Sequence, residues 1–233
     1  MATYVLVHGA WGGAHTYRLV RPMLRGAGHE VFTPSLTGIG ERSHLASPQV
    51  DLTTHVLDVA NTLYYEDLRD VVLLGFSYGG MVVTGALEHV ADRVRHLVYL
   101  DAFVPADGQS LNAMNGQEQR QGGLFGNDWL VPPIERFRAD DEHADWERAR
   151  RTAHPAACFD EPVRLARALE EFPFTRTYVK ATGEPRPPEG DAFWAAADRY
   201  REHPAWSYRE VGTNHLIPIN RPAELTEILL ALA

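Results

Sequence analysis

The chain has 233 residues, 45% hydrophobic and 23% charged, which fits a single globular unit with a substantial core. Its formal net charge is −9, with acids and bases interspersed, and no basic stripe offers a seat for phosphates, so nucleic acid is excluded as a partner class. Cys158 is the only cysteine, which excludes an intrachain disulfide. No apolar run is long enough to span a bilayer, and "MATYVLVHGAWGG" lacks the charged start and apolar core of a signal peptide, so the expected location is cytoplasmic.

In chain order, "TYVLVHG" (3–9) reads as a buried strand. It is followed by a helical stretch over 16–28, with Tyr17, Val20 and Leu24 on one face and Gly26 and Gly28 at its end. A second strand covers 30–35. Leu52, Val56, Val59 and Leu63 then give one apolar face to a helix over 51–67, capped by Asp51. "DVVLLGF" (70–76) is a strand whose unbroken apolar run implies burial on both faces, and a helix over 78–90 and a strand over 95–103 follow it. Residues 104–175 break the alternation. They are richer in charge and proline, and "DDEHADWERARRT" and "EPVRLARALEEF" read as helices. Strands return at 176–182 and 206–212, and a helix over 221–232 closes the chain. Alternating strands and helices predict an α/β fold with a mostly parallel sheet covered by helices on both faces. The chain is expected to be one domain, with a core of 1–103 and 176–233 and a helical lid inserted over about 104–175.

Gly75-Phe76-Ser77-Tyr78-Gly79 matches G-x-S-x-G between an apolar strand and a helix-compatible run, the context of a serine held on a sharp strand-to-helix turn. Serine needs a base, and in that arrangement the base follows late in the chain, where "REVGTNHLIPINRP" supplies His215. A developing oxyanion needs N–H donors. The backbone N–H groups of Tyr78 and of Ala10, in the "VHGAWGG" loop that His8 supports, are the expected pair. His55 and His154 read as surface or structural residues, and Cys158 as a small buried filler. No metal-ligand cluster or dinucleotide fingerprint is visible, so no cofactor is expected.

With "VLVHGAW", "LTGIGERSHL", "GFSYGG", "YLDAFVPADGQS", "LVPP" and the late histidine, nearly the whole chain resembles the α/β-hydrolases. Within them it is similar to the branch of small bacterial esterases, plant methylesterases of the salicylate-binding type and hydroxynitrile lyases. The resemblance implies the α/β-hydrolase fold and a cofactor-independent Ser–His–acid triad. In the family the acid follows the strand before the last, in a pattern like Y-x-x-C-T-E-D. Aligning Tyr178 and Thr182 with that pattern puts Glu184 at the acid position, with Asp101 as its rival and Asp191 a distant third. Relatives usually carry Asp where Ser35 stands, near the site mouth.

Trp11, Phe125 and Trp129 are expected to line an apolar substrate pocket, with Phe137 and Trp146 also in the insertion. The expected function is therefore a serine hydrolase acting on a small, largely apolar carboxylic ester, a small-molecule partner, and a homodimer is compatible with the chain. Two other readings stay open. One is lyase or cyclase chemistry on the same site, for which Lys180 is the nearest charged group. The other is a ligand-binding protein on a hydrolase scaffold.

Overall fold

The computed structural model describes residues 1–117, 129–135 and 142–233; Phe125 and Phe137 lie outside them. The first half runs β1 (Thr3–Val7), α1 (Val20–Gly26), β2 (Glu30–Phe32), α2 (Leu52–Tyr65), β3 (Val71–Phe76), α3 (Gly79–Val90) and β4 (Val94–Leu100). The insertion holds α4 (Leu111–Met114), β5 (Leu130–Val131), α5 (Ala144–Arg148), β6 (His154–Pro155) and α6 (Ala157–Asp160). The chain then returns through β7 (Thr175–Ala181), α7 (Ala192–Tyr200), β8 (Ser207–Val211), α8 (Ile217–Asn220) and α9 (Pro222–Leu230).

Six strands form one sheet in the order β2-β1-β3-β4-β7-β8, and every neighbouring pair is parallel. The chain leaves β1 toward one edge and comes back to β3 on its other side. A crevice therefore opens past the carboxyl ends of β1 and β3, the place where such sheets take ligands. The period-two alternation of β3 serves two cores at once. Val71 and Leu73 join the apolar cluster that contains α2 and α3 residues, and Val72, Leu74 and Phe76 join the one that contains α1 and α9 residues. This is the burial on both faces that the unbroken apolar run predicts. The α2 helix begins with a reciprocal capping box between Asp51 and Thr54.

Among its described residues the insertion is less helical than its sequence suggests. Over 161–172 only Leu169–Glu171 forms a helical turn. The backbone donors there are taken by tertiary acceptors: Val163 N–H donates to Gln109 O (2.9 Å), Leu165 N–H to Asp107 Oδ1 (2.9 Å) and Ala166 N–H to Glu88 Oε1 (2.7 Å). Pro162 has no N–H to give. Of "DDEHADWERARRT", Ala144–Arg148 is helix. Among the described residues no helix is long and apolar enough to cross a membrane.

Candidate active site

Ser77 directly follows β3 with φ +55, in the left-handed region that residues with a Cβ avoid. The turn is held by Ser77 N–H on Leu100 O (3.2 Å) and by Gly80 and Phe103 N–H groups on Ser77 O (3.1 and 3.2 Å). The flanking glycines are there for space. A Cβ on Gly75 would sit 2.6 Å from Gly79 O, and one on Gly80 would sit 2.0 Å from Phe103 O.

His215 comes from the loop between β8 and α8, where Asn214 Oδ1 accepts from Leu216 N–H (3.0 Å) and Asn220 Nδ2 (2.8 Å). Its ring lies between Phe76 and Phe193, with centroids 4.9 Å away on each side. His215 Nε2 is 2.9 Å from Ser77 Oγ, and Nδ1 is 2.7 Å from Asp101 Oδ2. A carboxylate only accepts, so Nδ1 carries the proton and Nε2 is left to accept from the serine hydroxyl.

The carboxylate against His215 is therefore Asp101, which corrects the expectation for Glu184. In the sheet register Phe76 stands opposite Leu100, so Ser77 and Asp101 are the first residues past two adjacent strands, and Asp101 has φ +40. Its other oxygen accepts from Lys180 Nζ (2.7 Å) and Ala181 N–H (3.2 Å). Burial pushes the Asp101 carboxyl up, but the bonds and charges of His215 and Lys180 together hold it below the usual range. Glu184 is exposed: Gly183 N–H is tied to Thr213 O (2.7 Å), and the chain beyond leads outward. Asp191 caps α7, accepting from Trp194 N–H at 2.7 Å.

Opposite the elbow, His8 Nε2 accepts from Leu36 N–H (3.1 Å), so its Nδ1–H donates to Gly9 O (2.9 Å) and fixes that carbonyl. Ala10 and Tyr78 both line the cleft beside Ser77. Tyr78 is the N-cap of α3, so its N–H has no intrahelical acceptor.

The cleft over Ser77 and His215 is open to solvent, with apolar walls that include Trp11, Phe103, Phe159, Phe193 and Ile219. Trp11 is fixed there by Nε1–H on Val131 O (3.0 Å) and by its own N–H on His154 Nδ1 (3.3 Å). Trp129 is not on this wall; its carbonyl accepts from Ala156 N–H instead. Trp146 faces away, with the guanidiniums of Arg18 and Arg150 over its ring at 4.0 and 3.8 Å. Ser35, expected near the site mouth, hydrogen-bonds Glu41, and neither lines the cleft. Lys180 is not on the cleft wall either, because its ammonium is held by Asp101.

Sequence reasoning passed over Phe193 and Glu147, which line the cleft; His55 and His154, read as surface or structural, and Cys158, read as a buried filler, are all fully buried. His55 and His154, with Cys158, bring possible ligand atoms within 4.8 Å of one another. Both His55 nitrogens are already engaged: Nε2–H donates to Thr37 O (2.7 Å), so Nδ1 accepts from Tyr78 O–H (2.9 Å). Burial also pushes the Cys158 thiol well up, away from a metal-binding thiolate. The trio reads as packing behind the elbow. His55 sits beside Leu52, Val56 and Val59 on the buried face of α2, a position from which its burial could have been read.

The sheet order, the serine elbow and the late histidine together define a hydrolase of the α/β type. The sequence profile of the alpha/beta hydrolase family matches residues 4–228, and the chain belongs to that family. It is 38% identical over 250 aligned positions, spanning both chains completely, to the carbendazim hydrolyzing esterase of Nocardioides sp. (strain SG-4G). It is 31% identical to the pyrethroid hydrolase of Sphingobium wenxiniae, over 81% of this chain and 65% of the relative. Among solved structures, an extracellular alpha/beta-hydrolase from a Paenibacillus species superposes with a TM-score of 0.77 at 24% identity, covering 99% of this chain and 98% of the other. The chain is an enzyme, a hydrolase of carboxylic ester bonds.

Proposed function

We propose that the chain cleaves a small, largely apolar carboxylic ester through an acyl-enzyme on Ser77. The observation that carries this reading is the 2.9 Å approach of His215 Nε2 to Ser77 Oγ, with Asp101 behind the ring at 2.7 Å. As Ser77 attacks the ester carbonyl, His215 takes its proton and becomes an imidazolium, which Asp101 stabilises. The Ala10 and Tyr78 N–H groups receive the oxyanion, each donor worth about 3 kcal/mol in a comparable site. The leaving alcohol takes the proton back from His215. Water, deprotonated by the same ring, then releases the acid and frees Ser77. The apolar walls around Phe103, Phe159 and Phe193 favour an uncharged substrate. The relatives named as a carbendazim hydrolyzing esterase and a pyrethroid hydrolase support hydrolysis of a small-molecule ester. Lyase chemistry through Lys180 has less support, since that ammonium is engaged by Asp101.

The test is hydrolysis of a p-nitrophenyl alkanoate by the wild type and Ser77→Ala. Loss of turnover by a factor on the order of 10⁴ or more is expected in the variant. Undiminished turnover would refute Ser77 as the nucleophile.

A further inference from the structure

Ala10, the expected donor of one oxyanion N–H, is followed by Trp11, whose φ of +63 lies in the left-handed region that a bulky residue avoids. Such a backbone persists only where its surroundings hold it. The described residues give Trp11 three hydrogen bonds, and all three come from the insertion. Its N–H donates to His154 Nδ1 (3.3 Å), its carbonyl accepts from Thr152 N–H (3.0 Å) and its Nε1–H donates to Val131 O (3.0 Å). Val131 and His154 are themselves cross-strand partners in the β5–β6 ribbon.

Ala10 is thereby gripped from both sides. His8 fixes the carbonyl of Gly9, which shares a peptide plane with the Ala10 N–H, and His154 fixes the next plane through the Trp11 N–H. The His154 ring also meets the other donor segment. It lies at 78° to the Tyr78 ring with centroids 4.8 Å apart, and Phe159 stacks on it at 4.4 Å. Packing alone does not account for an imidazole here. His154 is wholly buried, and because Nδ1 accepts, Nε2 carries the hydrogen, yet Nε2 has no hydrogen-bond partner among the described residues. An unmet buried donor costs about 1–3 kcal/mol, which a phenylalanine or leucine filling the same space would avoid. Burial also keeps the ring uncharged at neutral pH, which leaves Nδ1 free to accept.

We propose that His154 is a positioning residue of the oxyanion site: from β6 it fixes the Ala10–Trp11 peptide plane by accepting the Trp11 N–H, and it braces Tyr78 with the same ring. The insertion is then a working part of the reaction centre as well as part of the cleft wall. An oxyanion donor is effective only when its N–H is aimed where the charge develops, and a drift of about 1 Å in its support forfeits much of the effect. This assignment rests on the reading of Ser77 as nucleophile and of Ala10 and Tyr78 as donors, because it gives His154 a part in that same reaction.

The experiment compares His154→Phe, which keeps a ring without an acceptor, with His154→Asn, whose Oδ1 can stand where Nδ1 does. Two inhibitors of the same chain length are titrated against hydrolysis of a p-nitrophenyl alkanoate. One is a trifluoromethyl ketone, whose carbonyl carbon Ser77 Oγ attacks to leave an oxyanion, and the other is the plain methyl ketone, which binds without forming one. In His154→Phe, kcat/KM and the affinity for the trifluoromethyl ketone should both fall by about 10–100-fold, with the methyl ketone within about threefold of wild type. His154→Asn should recover most of both losses. His154→Met, whose flexible chain adapts to the same space, should behave like the phenylalanine variant and decides should that one fail to fold. Undiminished kcat/KM in the folded apolar variant, an equal loss of affinity for both ketones, or an asparagine variant no better than the apolar one would each overturn the role of His154. Ser77→Ala, assayed in parallel, separates the two readings: turnover persisting there refutes the nucleophile instead.

Discussion

Asp101 Oδ2 lies 2.7 Å from His215 Nδ1, and Asp101 reaches it from the end of β4, the strand beside the one that ends at Ser77. Serine and aspartate thus leave adjacent parallel strands at equivalent positions, both with left-handed backbone, φ +55 and +40. The imidazole is brought from the far end of the chain and clamped between Phe76 and Phe193. Asp101→Asn should keep the geometry but favour the wrong tautomer, lowering kcat by about 10⁴-fold. Glu184→Gln, at an exposed site, should stay within about twofold of wild type. Steady-state kinetics on one p-nitrophenyl ester checks both. The reverse ranking would return the acid role to Glu184.

Lys180 and Asp101 form an ion pair at 2.7 Å with side chains only 5% and 3% exposed. Removing one member of such a pair leaves an uncompensated buried charge. Lys180→Met should therefore destabilise the fold by about 3–5 kcal/mol and lower Tm by on the order of 10 °C. Differential scanning calorimetry measures this directly. An unchanged Tm would mean that Asp101 is satisfied by His215 and Ala181 alone.

The elbow glycines make a steric prediction with an internal control. Gly80→Ala drives a Cβ to within 2.0 Å of Phe103 O, a backbone atom that cannot yield cheaply. It should cost several kcal/mol, about 3 or more, and reduce soluble yield. Gly26→Ala meets nothing within 4 Å at the end of α1 and should be neutral or stabilising, by up to about 1 kcal/mol. Chemical denaturation of both variants checks the contrast, and equal stabilities would contradict it.

Three buried histidines surround the elbow and oxyanion loop. Burial lowers His8 and His55 to about 4 and holds His154 well below the ordinary histidine value. Their folded pKa values lie below the unfolded value, so between pH 6.5 and 4 the unfolded chain takes up protons that the native one refuses. Stability should be full above that window and fall as pH drops through it, with a slope of up to about 1.4 kcal/mol per pH unit for each histidine. Urea midpoints at pH 7.5, 6.0 and 5.0 test this. A flat profile would mean that these rings are hydrated or already protonated in the native state.

Much of this molecule is written in local patterns. The buried run of β3, the capped α2 and the glycines around Ser77 each state a local demand that the fold meets. His215 was legible from its place after the last strand. The carboxylate that meets its ring was not, because Asp101 and Glu184 both follow a strand and only the sheet register and the tie of Gly183 to Thr213 separate them. The burial of Glu147 in the cleft wall was illegible for another reason. The residue sits in a polar stretch whose inward face is set by Arg18 and Arg150 stacking on Trp146, a tertiary arrangement with no sequence period. The helix expected over 161–172 failed where Pro162 and distant acceptors claimed the backbone donors.

The central proposal is that Ser77 becomes covalently acylated, and the most direct measurement is intact and peptide mass spectrometry after reaction with a fluorophosphonate. One adduct per chain, located on Ser77, abolished in Ser77→Ala and strongly slowed in His215→Ala, is the expected result. An adduct on another residue, or ester turnover undisturbed after Ser77 is fully labelled, would contradict it.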